Sequence, residues 1–261
     1  MKFKKILVVE SKKNTKEHLE SSKKLKKILD EEKANLEWIF HDCLKKGDVL
    51  DKDLVITLGG DGTFVEAGNL IEDSFIIGIN SHPNSSEGAL TSLSIEEIDE
   101  LKKILKGEFK ILEKQRAKIK LNGRVLDEYA VNEVYIGAEN QFHSSRYTLI
   151  YRGKKEEQRS SGVIVSTGVG SRAWFKSAGG KEFGHKEEKL SFIVREPYFG
   201  KRIYVPTILE GEILKKEKIS FESKRNFGGI IAIGFKTYNF NDGDVIEIEL
   251  AEKPLKVLEK F

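Results

Sequence analysis

The chain has 261 residues, with 45 Lys and Arg against 42 Asp and Glu and a formal net charge of +3. So small an excess gives no strong field for nucleic acid or an anionic membrane surface, and no apolar run reaches membrane-spanning length. The lone Cys43 excludes an internal disulfide, fits a reducing compartment and reads as a small buried hydrophobe. The opening Met1–Lys5 leads into only four apolar residues, Ile6 to Val9, too few for a signal peptide, so a cytoplasmic protein is expected. Ile6 to Val9 reads as a first buried strand, and Asn14 with Glu17 as a capping box opening a helix. Leu19, Leu25, Ile28 and Leu29 recur near helical spacing and mark its apolar side. Leu36 to Phe40, Leu54 to Leu58 and Phe75 to Ile79 read as further strands, and Ser94 with Glu97 opens a helix carrying Ile98, Leu101, Ile104 and Leu105. Strands alternating with helices predict a parallel α/β sheet over residues 1–112.

Beyond residue 112 helix-period segments nearly vanish. Ala117 to Leu121, Asn122-Gly123 and Arg124 onward form a hairpin pattern with a type I′ turn. Similar signals follow: Tyr147 to Tyr151 before Arg152-Gly153, Ile219 to Ser223 and Ile230 to Phe235 around a glycine pair, and Val245 to Leu250 after Asn241-Asp242-Gly243. Residues 113–261 are therefore expected to form a β-rich, sandwich-like second domain, the last strand or tail packing back on the first. No repeat of fixed period occurs.

Three stretches carry chemistry. In the first, the strand Leu54 to Leu58 runs into Gly59, Gly60, Asp61, Gly62 and Thr63, with Glu66 three residues after Thr63 as a capping box. Glycines expose backbone amides, and amides at a helix N-terminus beyond a parallel strand attract phosphate. A carboxylate there repels that ligand, so Asp61 either meets a substrate hydroxyl or a metal on the phosphates, or is a turn aspartate capping the helix. In the second, Asn132 and Glu133 interrupt the apolar run from Ala130 to Ile136. Adjacent strand residues face opposite ways, so at least one must be buried, as a structural pair or as a ligand site. In the third, the strand Val163 to Val165 enters a corner of Ser166, Thr167, Gly168, Val169 and Gly170, with a helix expected from Ser171. Its amides, hydroxyls and Arg172 suit a phosphate or ribose, and Trp174 suits a ring; the alternative is an ordinary cap with a core tryptophan. The five histidines, at 18, 41, 82, 143 and 185, show no ligand spacing and read as surface or loop residues.

Taken in order and approximate spacing, Gly-Gly-Asp-Gly-Thr at 59–63, the Asn132-Glu133 pair and Gly170-Ser171 running to Ser177-Ala178-Gly179-Gly180 resemble the NAD kinase family. Ser85-Ser86-Glu87-Gly88, Ser144-Ser145-Arg146 and the run from Gly168 to Trp174 are most similar to its mitochondrial-type branch. The resemblance implies transfer of a phosphoryl group from ATP or polyphosphate to the 2′-hydroxyl of the adenosine ribose of NAD, with Mg²⁺ carried on the substrate phosphates and no protein metal cage. It makes Asp61 the base, puts Gly59, Gly60, Gly62 and Thr63 on phosphates, and Asn132 and Glu133 on a nucleoside. Asn80, Ser161, Thr167, Gly170, Ser171, Arg172, Ala173, Trp174 and Ser177 match or flank family positions around the nucleotides, and a homo-oligomer, most simply a dimer, is implied. Several positions depart from the family pattern: Ser161 stands where an aspartate is common, Arg172 where a neutral residue is usual, Ala89 where an aromatic would stack, and Ile233-Gly234 where Asp-Gly is expected. Diacylglycerol and sphingosine kinases share the glycine corner, so a lipid or sugar kinase, or a nucleotide sensor without turnover, stays open as a rival reading.

Overall fold

The structure is a computed structural model that describes residues 2–140 and 142–261; Met1 and Gln141 lie outside the described residues. The chain divides into two compact units, one of residues up to Glu113 together with Leu255–Phe261, the other Lys114–Pro254.

The first unit runs β1 (Ile6–Glu10), α1 (Lys16–Glu31), β2 (Leu36–Phe40), α2 (Lys46–Val49), β3 (Leu54–Gly59), α3 (Asp61–Leu70), β4 (Phe75–Asn80), β5 (Leu93–Ser94), α4 (Leu101–Lys106) and β6 (Lys110–Lys114). Strands β2, β1, β3 and β4 lie side by side and parallel, and the C-terminal strand Leu255–Glu259 adds in parallel beside β4. All six residues of β3 and all five of β1 are buried, as expected of parallel strands covered on both faces. Because β1 continues to β2 on one side while β3 lies on the other, the sheet reverses direction between β1 and β3. Ligands of open α/β sheets bind beyond strand carboxyl ends at such a point.

Helix α1 corrects two expectations. Its N-cap is Thr15, whose hydroxyl accepts from His18 N at 3.3 Å, and not Asn14. Leu19 is exposed, and the buried stripe is His18, Ser21, Ser22, Leu25, Ile28 and Leu29. The stripe keeps helical spacing but begins with polar residues, so a search for apolar side chains alone misplaces its first turn. Glu97 accepts a hydrogen bond from Ser94 N, and a single 3₁₀ turn at Ile98–Glu100 leads into α4, whose side carrying Ile98, Leu101, Ile104 and Leu105 is buried.

The second unit contains β7 (Ala117–Leu121), β8 (Arg124–Val125), β9 (Glu133–Ala138), β10 (Ser145–Tyr151), β11 (Lys154–Ser160), β12 (Val163–Ser166), α5 (Trp174–Ser177), β13 (Lys189–Val194), β14 (Glu210–Leu214), β15 (Lys218–Ser223), β16 (Gly229–Ile233), β17 (Lys236–Asn239) and β18 (Val245–Leu250). They form two six-stranded sheets, ordered β11-β10-β15-β18-β7-β8 and β14-β13-β12-β9-β16-β17. The faces share one core, with Ile119, Leu149, Phe221 and Ile248 from the first sheet and Val134, Ile136, Val165 and Phe192 from the second. This is the expected β-rich sandwich. Asn122 and Gly123 both take positive φ, 50° and 79°, as a type I′ hairpin requires. The expected strand Ile230 to Phe235 instead ends at Ile233 and turns at Gly234 into β17, and it lies in a different sheet from Ile219 to Ser223.

Cys43 is exposed and not a buried hydrophobe. No helix among the described residues is long and apolar enough to cross a membrane.

Candidate functional site

The predicted site residues fall into two groups, one on each unit. On the first, β3 ends at Gly59 and α3 begins at Asp61 with Gly60 as N-cap, three residues earlier than a Thr63 cap would place it. Glu66 does not close a capping box; its carboxylate meets His41 Nδ1 at 2.6 Å. Gly60 O accepts from Phe64 N, so helical bonding already starts ahead of Thr63. A side chain at Gly59 would run into Thr63 and Ser11, and one at Gly60 would lie 2.4 Å from Ser86 Oγ and 3.3 Å from His82 Nε2. The glycines are thus required by close approach at the point where β1 and β3 diverge. Gly60→Ala is expected to destabilise the fold by about 1–3 kcal/mol through overpacking, with partial recovery in Gly60→Ala/Ser86→Gly, measured by urea denaturation.

Asp61 is half-buried, and its carboxylate accepts Leu90 N at 2.8 Å and Ala89 N at 3.1 Å. It therefore does not act as an Asx cap on its own helix. The amides come from the loop after β4, whose root Asn80 ties down: its Oδ1 accepts from His82 N and its Nδ2 donates to Ser86 O. Each carboxylate oxygen has more than one lone pair, so Asp61 is held in one orientation and can still accept from a hydroxyl.

Behind this loop lies a group that the sequence reading put elsewhere. His18 and His82 are buried, 1% and 5% exposed, and are not surface residues. Ser81 Oγ lies 2.8 Å from His18 Nδ1 and 3.0 Å from His82 Nδ1; His18 Nε2 meets Glu10 Oε1 at 3.1 Å, and Trp38 Nε1 donates to Glu10 Oε2 at 2.6 Å. Burial alone would raise the Glu10 pKa, but hydrogen bonds from His18, Trp38 and Ser22 outweigh it and hold the carboxyl below its ordinary value. Burial, reinforced by Lys13 and His18, lowers the His82 pKa. The polar members of the α1 stripe were the available signal for His18; nothing local marks His82.

On the second unit β9 and β12 pair in antiparallel register, which sets Ser166 opposite Glu133 and brings the second and third stretches together. Thr167 N donates to Asn132 O at 2.9 Å, and a side chain at Gly170 would lie 2.7 Å from Glu133 Oε2. Asn132 Oδ1 and Glu133 Oε2 are buried with no hydrogen-bond partner among the described residues. Desolvation raises the Glu133 pKa from 4.5 to about 7. Buried polar oxygens are normally satisfied, so an orphaned pair beside a glycine corner is a place for a ligand's donors.

The corner itself is internally bonded. Thr167 Oγ1 donates to Val131 O and accepts from Val169 N and Gly170 N, while Ser171 Oγ bonds Gly168 O and the backbone of Phe183; both residues are fully buried. Their hydroxyls hold the corner's shape. In place of one helix from Ser171 there is a 3₁₀ turn at Gly170–Arg172 and then the short α5. Arg172, Ala173 and Ser177 are exposed. The Trp174 ring lies 5.2 Å from the Tyr135 ring, tilted by 32°, and the Arg195 guanidinium is 5.0 Å from its centre. Ser161 lies under the same group, its carbonyl accepting from Tyr135 O–H at 3.0 Å. Tyr135 and Arg195 were not picked out from sequence, because each joins Trp174 only through sheet pairing.

No protein-family model matches the chain. A protein of Oryza sativa subsp. japonica named "Probable NADH kinase" is 27% identical over 271 residues, covering 92% of this chain and 81% of that protein. The NAD kinase of Thermoplasma acidophilum is 25% identical over 211 residues, covering 80% and 74%. The crystal structure of an NAD kinase from Archaeoglobus fulgidus in complex with ATP shares the fold, with a TM-score of 0.72 at 24% identity over 97% of this chain and 92% of that one. With the glycine corner at the sheet's switch point and the Asn132–Glu133 pair set against the second corner, these likenesses agree: the chain is similar in sequence, over most of its length, to proteins named NAD kinase or NADH kinase, and it shares the fold of a solved NAD kinase.

Proposed function

We propose that the protein is an NAD kinase, transferring the γ-phosphoryl group of ATP to the 2′-hydroxyl of the adenosine ribose of NAD to give NADP. The observation that carries this reading is Asp61, pinned by two loop amides at the end of β3 with acceptor capacity to spare. In this mechanism Asp61 orients the hydroxyl and takes its proton as the ribose oxygen bonds to the γ-phosphorus and the bond to the bridging oxygen of ADP breaks. Gly59, Gly60, Gly62 and Thr63 hold phosphates at the corner, and Asn80 holds the loop that aims Asp61. Asn132 and Glu133 accept from a nucleoside; Gly170, Arg172, Ala173, Trp174 and Ser177 line its surroundings; Ser161, Thr167 and Ser171 support them.

No cluster of three or more His, Cys, Asp or Glu side chains suited to a metal occurs among the described residues. We place Mg²⁺ on the ATP phosphates, where it usually keeps its waters and neutralises charge. A lipid or sugar kinase sharing only the first corner leaves the orphaned Asn132 and Glu133 oxygens without a purpose. We further place the protein in the cytoplasm as a homo-oligomer, most simply a dimer, which sedimentation velocity would measure.

The deciding experiment incubates the purified protein with Mg²⁺ and ATP or polyphosphate, and with NAD or NADH, and reads the product with an NADP-specific dehydrogenase. NADP formation from NAD and ATP is expected. No phosphorylated dinucleotide from any pairing, with dinucleotide binding intact, would leave the sensor reading standing in its place.

A further inference from the structure

The histidines of the first unit are joined in a line that ends on the glycine corner. It runs from half-buried Trp38 on the edge strand through Glu10, His18 and Ser81 to His82, each link between 2.6 and 3.1 Å. His82 Nε2, at the outer end, has no hydrogen-bond partner among the described residues and lies 3.3 Å from where a Gly60 side chain would begin. A serine, a histidine and a carboxylate in line suggest a nucleophile, but Ser81 is fully buried, so no substrate atom reaches its oxygen.

The donors and acceptors of the line can be assigned from the network. Glu10 is an acceptor only, so His18 carries its proton on Nε2, and neutral His18 then presents Nδ1 as an acceptor. Ser81 donates its single hydroxyl proton to that nitrogen and accepts from His82 Nδ1–H. His82 is left with a bare lone pair on Nε2, facing the corner. The reverse order also satisfies every link: with His18 doubly protonated, Ser81 accepts from it and donates to His82 Nδ1, and Nε2 carries the proton. The two arrangements differ by one proton taken in at His82 Nε2 and one held at His18 against the Glu10 carboxylate.

We infer that Glu10, His18, Ser81 and His82 form a proton relay that carries away the proton released when an alcohol is phosphorylated at the glycine corner. The inference rests on the kinase reading above. The proton that Asp61 has taken from the alcohol passes on to His82 Nε2, His82 Nδ1–H passes its proton to Ser81, and Ser81 passes its own to His18 Nδ1. No heavy-atom bond changes, and the charge ends as an imidazolium beside Glu10, which Trp38 also braces. The titratable groups that face His82 are Lys13 and Glu17, around the start of α1, and His18 behind it. Its pKa below the ordinary histidine value keeps the ring neutral at neutral pH, so that with the proton on Nδ1 the Nε2 lone pair is free to accept.

Two measurements test the relay. Nitrogen-15 NMR of the imidazoles in the whole protein at neutral pH is expected to show His82 protonated on Nδ1 and His18 on Nε2. The single-turnover rate of phosphoryl transfer is expected to fall on the order of 10- to 100-fold in Ser81→Ala, at or below what a positioned acid–base group contributes, with dinucleotide and ATP affinities held within twofold and the variant still fully folded at the assay temperature. A Ser81→Ala rate within twofold of wild type overturns the relay, and so does a loss of rate that only follows weakened nucleotide binding or unfolding. If the wild-type protein phosphorylates no alcohol, the kinase reading and the relay's role both fall. The NMR measurement remains separate: His82 found protonated on Nε2 while His18 is neutral overturns the relay even in an active kinase.

Discussion

Asp61→Asn is expected to lower kcat by about 10²- to 10⁴-fold, or about 3 to 5 kcal/mol of barrier, while the dinucleotide dissociation constant stays within a few-fold of wild type. Asparagine has the size and shape of aspartate, so the corner between β3 and α3 is not overfilled. Its amide oxygen can still accept one of the two loop amides, Leu90 N or Ala89 N, but its NH₂ group then faces the other, donor against donor. Ala89 is exposed and Leu90 half-buried, so water can satisfy the displaced amide and the folding cost stays at about 1 kcal/mol. Lost turnover thus separates from lost structure: kcat from a coupled assay, affinity from calorimetry and stability from urea denaturation should move by very different amounts. A variant turning over at the wild-type rate would remove Asp61 from the proton transfer and leave it only the task of holding the loop.

The parts legible from sequence are those decided by neighbours in the chain. The apolar runs of β1 to β4 are bounded by polar, charged or glycine residues, and the structure ends them within a residue of the expected limits. Asn122-Gly123 fixes its hairpin because both residues tolerate positive φ. Adjacent polar residues in an apolar strand announced burial at Asn132 or Glu133, and an oxygen of each proves buried. What the sequence left open was decided by distant partners. Glu66 has the spacing of a capping-box residue but finds His41, 25 residues earlier. Asp61 has the look of a turn aspartate but finds amides 28 and 29 residues later. His18 and Ser81 are 63 residues apart in the chain, and each is an ordinary polar residue until β1, β4 and α1 are placed together. Local patterns set strands and turns, whereas the hydrogen-bonding of the corner depends on tertiary placement that overrides those patterns.

Glu133→Gln is expected to leave stability nearly unchanged at pH 4 and to raise it by up to about 3 kcal/mol at pH 8 in the ligand-free protein. The cause is the carboxyl's burial with one oxygen unpartnered, which lifts its pKa from 4.5 to about 7. Below about pH 4.5 the folded and unfolded chains both keep the proton and the group costs nothing extra. Between 4.5 and about 7 the unfolded chain ionises while the folded one holds its proton, so stability drains away as pH rises, by about 1.4 kcal/mol per unit. Above about 7 the folded state carries a desolvated anion and the full penalty is in place. Glutamine keeps the shape and cannot ionise, so the difference between variant and wild type should open across that window and then level off in urea titrations at successive pH values. A constant difference from pH 4 to pH 8 would mean that Glu133 titrates in the folded state as it does in the unfolded chain, with no shift from burial. Such a result would also weaken its role toward a nucleoside, since a carboxyl already satisfied by protein or solvent has no unmet demand for a ligand's donor. If instead the window appears without ligand and closes when NAD is added, the ligand donates to the orphaned oxygen and lowers the folded-state pKa toward its ordinary value.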